Sequence, residues 1–170
     1  LTDASGHGHT GTISSTGTTL AQAGALSGSG DNDAAMKFTA ASTGYVSVAD
    51  DSAFTLSGDF TLEAWVNFAT LPSAMQTLLA HDNGGGDTNK WIWYYSGTHL
   101  VFLVNNAGAG ETTVVNYAWS PGTGAWHHMA LSRGGTSFKL YIDGSQVSTA
   151  TSSVSLPNPT ADLTIGRAEG

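Results

Sequence analysis

The sequence predicts an all-β fold of antiparallel strands, a sandwich or barrel, from three observations. Short apolar runs with period-two alternation recur between turn signals along most of the chain. No segment long enough for a helix carries a 3.6-residue period. Asp143-Gly144, directly after the alternating run Phe138–Ile142, is the strongest hairpin signal, because a type I′ turn needs positive φ at both central residues.

Residues 1–33 are mostly Gly, Ser, Thr, Ala and Asp with isolated Ile13, Leu20 and Leu26, which predicts loops and two short edge strands. Met36 and Phe38 alternate with polar neighbours, and Tyr45-Val46-Ser47-Val48 forms the next run, closed by Asp50-Asp51-Ser52. Asp59–Phe68 is the cleanest strand. Period two places Phe60, Leu62, Ala64, Val66 and Phe68 on a core face, and Thr61, Glu63, Trp65 and Asn67 on a face open to solvent or ligand. Gln76–Ala80 continues as a strand, followed by a Gly-rich loop over His81–Lys90. Trp91–Tyr95 alternates again, with Trp91, Trp93 and Tyr95 sharing a face. Leu100–Val104, Thr112–Val115, Trp126–Arg133, Phe138–Ile142 and Leu163–Ile165 complete the strands. So many short strands in one chain make a sandwich or barrel.

At 170 residues the chain suits one domain with a sizeable core. Gly, Ala, Ser and Thr supply half of it, and only 11% is charged, so hydroxyls and amides keep the surface polar. A net charge of −8, with the five cations Lys37, Lys90, Arg133, Lys139 and Arg167 scattered, argues against nucleic acid or anionic membrane as a partner. A neutral ligand or a cation suits that charge better. Cys is absent, which excludes disulfides and thiolate zinc sites. The longest strongly apolar stretch, Leu100–Val104, is far short of a spanning helix, so membrane insertion is not expected.

Four motifs carry a family resemblance. Phe60-Thr61-Leu62-Glu63-Ala64-Trp65-Val66 resembles the "FT-x-x-x-W-V" strand of laminin-G-like, concanavalin A-like domains. Trp126-His127-His128-Met129-Ala130-Leu131-Ser132-Arg133 resembles their "WHHVA-x-x-R" strand, Leu140-Tyr141-Ile142-Asp143-Gly144 their "LYVDG" hairpin, and Leu163-Thr164-Ile165-Gly166-Arg167 their "L-x-IGR" strand. The resemblance implies a jelly-roll β-sandwich with one concave sheet, formed by residues 1–170 as one domain. It also implies a glycan, glycoprotein or cell-surface partner, bound through loops at a Ca²⁺-bearing rim, on a larger extracellular, cell-surface or virion assembly such as a phage tail or fibre. The family's first and last strands are missing here, which implies a domain excised from a longer chain or completed by a neighbouring one.

The residues permit several chemistries. Retaining glycoside hydrolysis needs two carboxyls roughly 5–5.5 Å apart. Glu63, Glu111 and Glu169 each lack an acidic partner at i+2 or i+4, which argues against an enzyme. No Gly-x-Ser-x-Gly elbow is present. In the loop His81–Asn89, Asp82, Asn83 and Asp87 offer oxygens for Ca²⁺, a cation that takes six to eight of them. Trp91, Trp93 and Tyr95, with Asn89 beside them, follow that loop and are candidates to stack on and bond a sugar. Trp65 and Trp126 lie within the family motifs and read as structural. His7/His9 and His127/His128 read as structural rather than zinc-binding, with His128 on a sheet face near Glu63 and Trp65. The function expected is a non-catalytic carbohydrate-binding or adhesion module. The alternatives are a structural head or decoration domain without a ligand and, last, a glycoside hydrolase.

Overall fold

The computed structural model describes residues 1–14, 16–26, 33–39 and 43–168; Glu169 lies outside them. The described residues form thirteen strands: β1 (Gly11–Ile13), β2 (Thr18–Ala23), β3 (Ala34–Phe38), β4 (Val46–Val48), β5 (Phe60–Asn67), β6 (Gln76–Asp82), β7 (Lys90–Tyr95), β8 (His99–Asn106), β9 (Gly110–Ala118), β10 (Trp126–Gly134), β11 (Ser137–Ile142), β12 (Ser145–Thr151) and β13 (Leu163–Ile165). A single 3₁₀ turn at Ser52–Phe54 interrupts the β pattern, capped by the Asp51 carboxylate, which accepts from the Ala53 N–H. No described helix is long and apolar enough to cross a membrane.

Seven strands form one sheet in the order β1-β4-β13-β6-β7-β8-β9, and four form a second in the order β12-β11-β10-β5. β2 and β3 pair separately, and every pairing is antiparallel. The fold is therefore the antiparallel jelly-roll sandwich that the strand spacing and motifs predict. Trp91, Trp93, Leu100, Phe102 and Val104 from the large sheet meet Met129, Leu131, Phe138 and Leu140 from the small one in a single core. The Phe102 ring lies 6.2 Å from Phe138 and 6.3 Å from Phe60, so aromatic contact bridges the two sheets.

The structure differs from the sequence expectation in two elements. His81 and Asp82 belong to β6 rather than to the loop, because β6 stays paired with β7 as far as Asp82↔Lys90. β12 has no apolar run, yet it forms, because the Asp143-Gly144 turn folds it back onto β11. That turn is the one expected: Asp143 has φ 51° and Gly144 φ 78°.

Candidate functional site on the outer face of the small sheet

Strand alternation builds this face. Along β5 the core residues Phe60, Leu62, Ala64 and Val66 interleave with the exposed Thr61, Glu63 and Trp65. β10 contributes small side chains at the matching rows: Glu63 stands opposite Ala130, and Thr61 opposite Ser132. β11 continues the rows with Tyr141 beside Ala130 and Lys139 beside Ser132, and β12 ends them with Gln146 and Thr149. Small Ala130 and Ser132 on β10, with His128 at one end of their row, lie between Trp65 and Glu63 of β5 on one side and Tyr141 and Lys139 of β11 on the other, so the side-chain sizes shape a shallow trough.

The β5 side holds an aromatic–acid–imidazole group. Trp65 is 48% exposed, and its ring centroid lies 5.2 Å from that of His128, its cross-strand partner. His128 Nε2 lies 3.4 Å from Glu63 Oε2. The His128 backbone is fixed from behind: its N–H donates to Asp143 Oδ1 at 2.9 Å and its carbonyl accepts from the Asp143 N–H at 2.8 Å. His127, by contrast, is structural; its Nδ1 lies 2.8 Å from Asp143 Oδ2 and its ring packs edge-on against Trp119. Those contacts hold the Asp143 carboxyl below the usual carboxylate range, the His127 hydrogen bond most strongly. The expectation for His128, on a sheet face beside Glu63 and Trp65, matches the structure. Trp65, read as structural, has half of its surface facing solvent.

The other expected site residues lie elsewhere. Trp91, Trp93 and Tyr95 are 1%, 2% and 1% exposed and form the core, so none offers a ring to a sugar; this corrects the expectation that they stack on a ligand. The Tyr95 hydroxyl donates inward, with the Gly97 and Trp119 carbonyls at 2.9 and 3.1 Å. Asn89 is a loop staple, its Oδ1 accepting from the Ala107 N–H at 3.0 Å.

The loop after β6 is similarly tied. Asp82, 2% exposed, accepts from the Gly84 N–H and lies 3.8 Å from Lys90 Nζ. Asn83 Oδ1 accepts from the Thr160 and Ala161 N–H groups. Asp87 accepts from Asn105 Nδ2 and the Gly108 N–H, which lower its pKa, Asn105 first. These oxygens point to three different neighbours, and among the described residues no three His, Asp or Glu side chains converge. The side-chain oxygens of Asp82, Asn83 and Asp87, the expected Ca²⁺ donors, are thus taken up by separate partners in this structure.

Sequence reasoning missed Lys139 and Tyr141 as site residues. Their alternation with Phe138, Leu140 and Ile142 places them on the outer face, but only the register with β10 sets them across the trough from Glu63.

Two packed antiparallel sheets with an open polar face define the class, a jelly-roll β-sandwich of lectin type. The chain belongs to the concanavalin A-like lectin/glucanases superfamily, whose laminin-G-like form matches residues 39–170. No curated protein matches it in sequence. Among solved structures it is similar to the binding domain of botulinum neurotoxin serotype G, with TM-score 0.72 and 12% identity over 96% of this chain and 40% of that one. It is also similar to the carbohydrate-binding module CBM40 of Ruminococcus gnavus IT-sialidase bound to α2,3 sialyllactose (TM-score 0.56, 14% identity, 68% of this chain and 67% of that one). Domains LG4-5 of the mouse laminin α1 chain match with TM-score 0.56 and 18% identity over 74% of this chain and 32% of that one. The chain thus spans two fifths of the toxin binding domain and a third of the laminin pair.

Proposed function

We propose that this domain is a non-catalytic carbohydrate-binding module, acting outside the cell, that takes a glycan on the outer face of its small sheet. The exposed Trp65 carries the reading. An indole is a large apolar surface that normally packs inside, and here it stands beside Glu63 and His128 over a floor of small residues. A sugar presents a C–H face that stacks on such a ring and hydroxyls that pair with a carboxylate and an imidazole. The sialyllactose held by the Ruminococcus gnavus module supports the same class of ligand for this fold. Glu63 is the sole acid on β5, β10, β11 and β12, which supports binding over glycoside hydrolysis, a reaction that uses a pair of carboxyls.

The test is a glycan array read with wild-type protein, Trp65→Ala and Glu63→Gln, each in Ca²⁺ and in EDTA. The expected result is binding that survives EDTA and weakens about tenfold or more in Trp65→Ala, the loss that follows from removing a stacking ring. A blank array from folded wild-type protein would overturn the reading and favour a structural head or decoration domain. Hydrolysis of any arrayed glycan, lost in Glu63→Gln, would instead make the domain an enzyme.

A further inference from the structure

We infer that the far side of the trough is a subsite for an anionic group, so that the ligand is a glycan bearing a carboxylate or a sulfate; this rests on the glycan-binding reading above. A depression of about 230 Å³ lies there, lined by Ser132, Arg133, Gly134, Ser137, Lys139 and Tyr141.

The lining offers the Lys139 ammonium and three hydroxyls, each able to donate, and no carboxylate. Lys139 is exposed, and neither it nor Arg133 has a carboxylate within ion-pair distance among the described residues. Arg133 faces the other way, in register with the core residues Phe60 and Phe138, with its guanidinium carbon 5.3 Å from the Phe138 ring centroid and its Nε donating to the Gly135 carbonyl at 2.9 Å, so Lys139 is the cation on this side. The Tyr141 hydroxyl has only a long 3.5 Å contact with Gln146 Oε1. Ser132 and Ser137 add two further hydroxyls. In a chain of net charge −8 with five Lys and Arg residues, the exposed Lys139 ammonium stands at this depression. A neutral sugar would leave the ammonium without a counter-charge; an anionic oxygen pairs with it by a charge-assisted hydrogen bond.

Glu63 sets the polarity of the ligand. It stands on β5, while Lys139 and Tyr141 stand on β11, two strand spacings or about 10 Å away across the sheet. A glycan lying across the strands stacks a neutral ring on Trp65, away from any anion that Glu63 would repel. Its acidic unit then falls at Lys139, beyond the reach of a single sugar ring, so the shortest complete ligand is a disaccharide.

The experiment compares affinities in matched pairs at low salt. Oligogalacturonate against its methyl ester reports on carboxylate, and carrageenan against agarose oligosaccharides on sulfate. Wild type is expected to favour at least one acidic member by about tenfold, as one charge-assisted hydrogen bond allows. Lys139→Gln should bring that ratio toward one, while Lys37→Gln, on β3, should leave it unchanged. Equal affinity for both members of both pairs, or a ratio untouched by Lys139→Gln, overturns the anionic subsite and leaves the glycan reading standing. An equal fall in Lys37→Gln also overturns it, showing diffuse charge attraction. If Trp65→Ala leaves every affinity unchanged, or if wild type binds neither member of either pair nor any arrayed glycan, the glycan reading itself fails and the subsite with it.

Discussion

Trp65 and Trp93 show how one side-chain type serves two ends, and substitution separates them. Trp93 is buried among the core rings, so Trp93→Ala removes a large packed side chain and is expected to cost about 3–5 kcal/mol in a urea unfolding experiment. Trp65 is half exposed on an outer face, so Trp65→Ala should change unfolding by no more than about 0.5 kcal/mol while removing glycan affinity. A Trp65→Ala domain that unfolds as easily as Trp93→Ala would make the indole structural. Period two exposed Trp65 in the sequence because its strand neighbours Thr61, Glu63 and Asn67 are polar. The same rule could not place Trp91, Trp93 and Tyr95. Ile92, between the two indoles, is only 7% exposed, so β7 is buried on both faces and alternation carries no contrast there. The pairing of His128 with Glu63 was anticipated through the shared sheet face, but the depression around Lys139 depends on registers between strands that no local pattern states.

The β11–β12 hairpin shows what a turn adds beyond its hydrogen-bonded strands. Asp143 takes a positive φ and also ties its carboxylate to His127 Nδ1 and the His128 N–H, so one residue sets both the turn and the back of the site. Its carboxyl is lowered by those contacts, and the sign of the resulting pH dependence follows. A carboxyl lowered on folding contributes stability above its unfolded pKa of about 3.9 and loses it as pH falls through the folded value. Asp143→Asn keeps the turn, because Asn tolerates positive φ, but removes the charge. The variant should unfold at lower urea than wild type at neutral pH, and the gap should close as pH falls below about 4. A gap that persists unchanged at low pH would assign it to the turn rather than to the carboxylate. The hairpin was legible because Asp-Gly is a turn chemistry written in two adjacent residues; β12 beyond it was not, because its Ser and Thr side chains pack on nothing that a sequence pattern marks.

At the scale of the whole molecule, the two sheets are assembled differently. β6, β7, β8 and β9 follow one another in sequence and pair in order, whereas β13 enters between β4 and β6. Val46–Val48 and Leu79–His81 meet only through it, with Thr164, 1% exposed, donating its hydroxyl to the Ala80 carbonyl. A chain ending after Asn158 is therefore expected to lose at least about 3 kcal/mol of stability, as broken buried networks do, with unfolding followed by tryptophan fluorescence. Retention of the wild-type transition would show that β1 and β4 dock without their neighbour. The general fold was legible because strand spacing and turn residues repeat along the chain; this insertion was not, since a three-residue strand carries no record of its partners. It also gives the protein a timetable. Between Asp82 and Leu163 lie about 80 residues, several seconds of synthesis at roughly 5–20 residues per second. Through that interval β6 waits with one edge unpaired, open to capture by the strand of another nascent chain. The interval before β13 emerges, more than the finished fold, is when this domain is most exposed to aggregation.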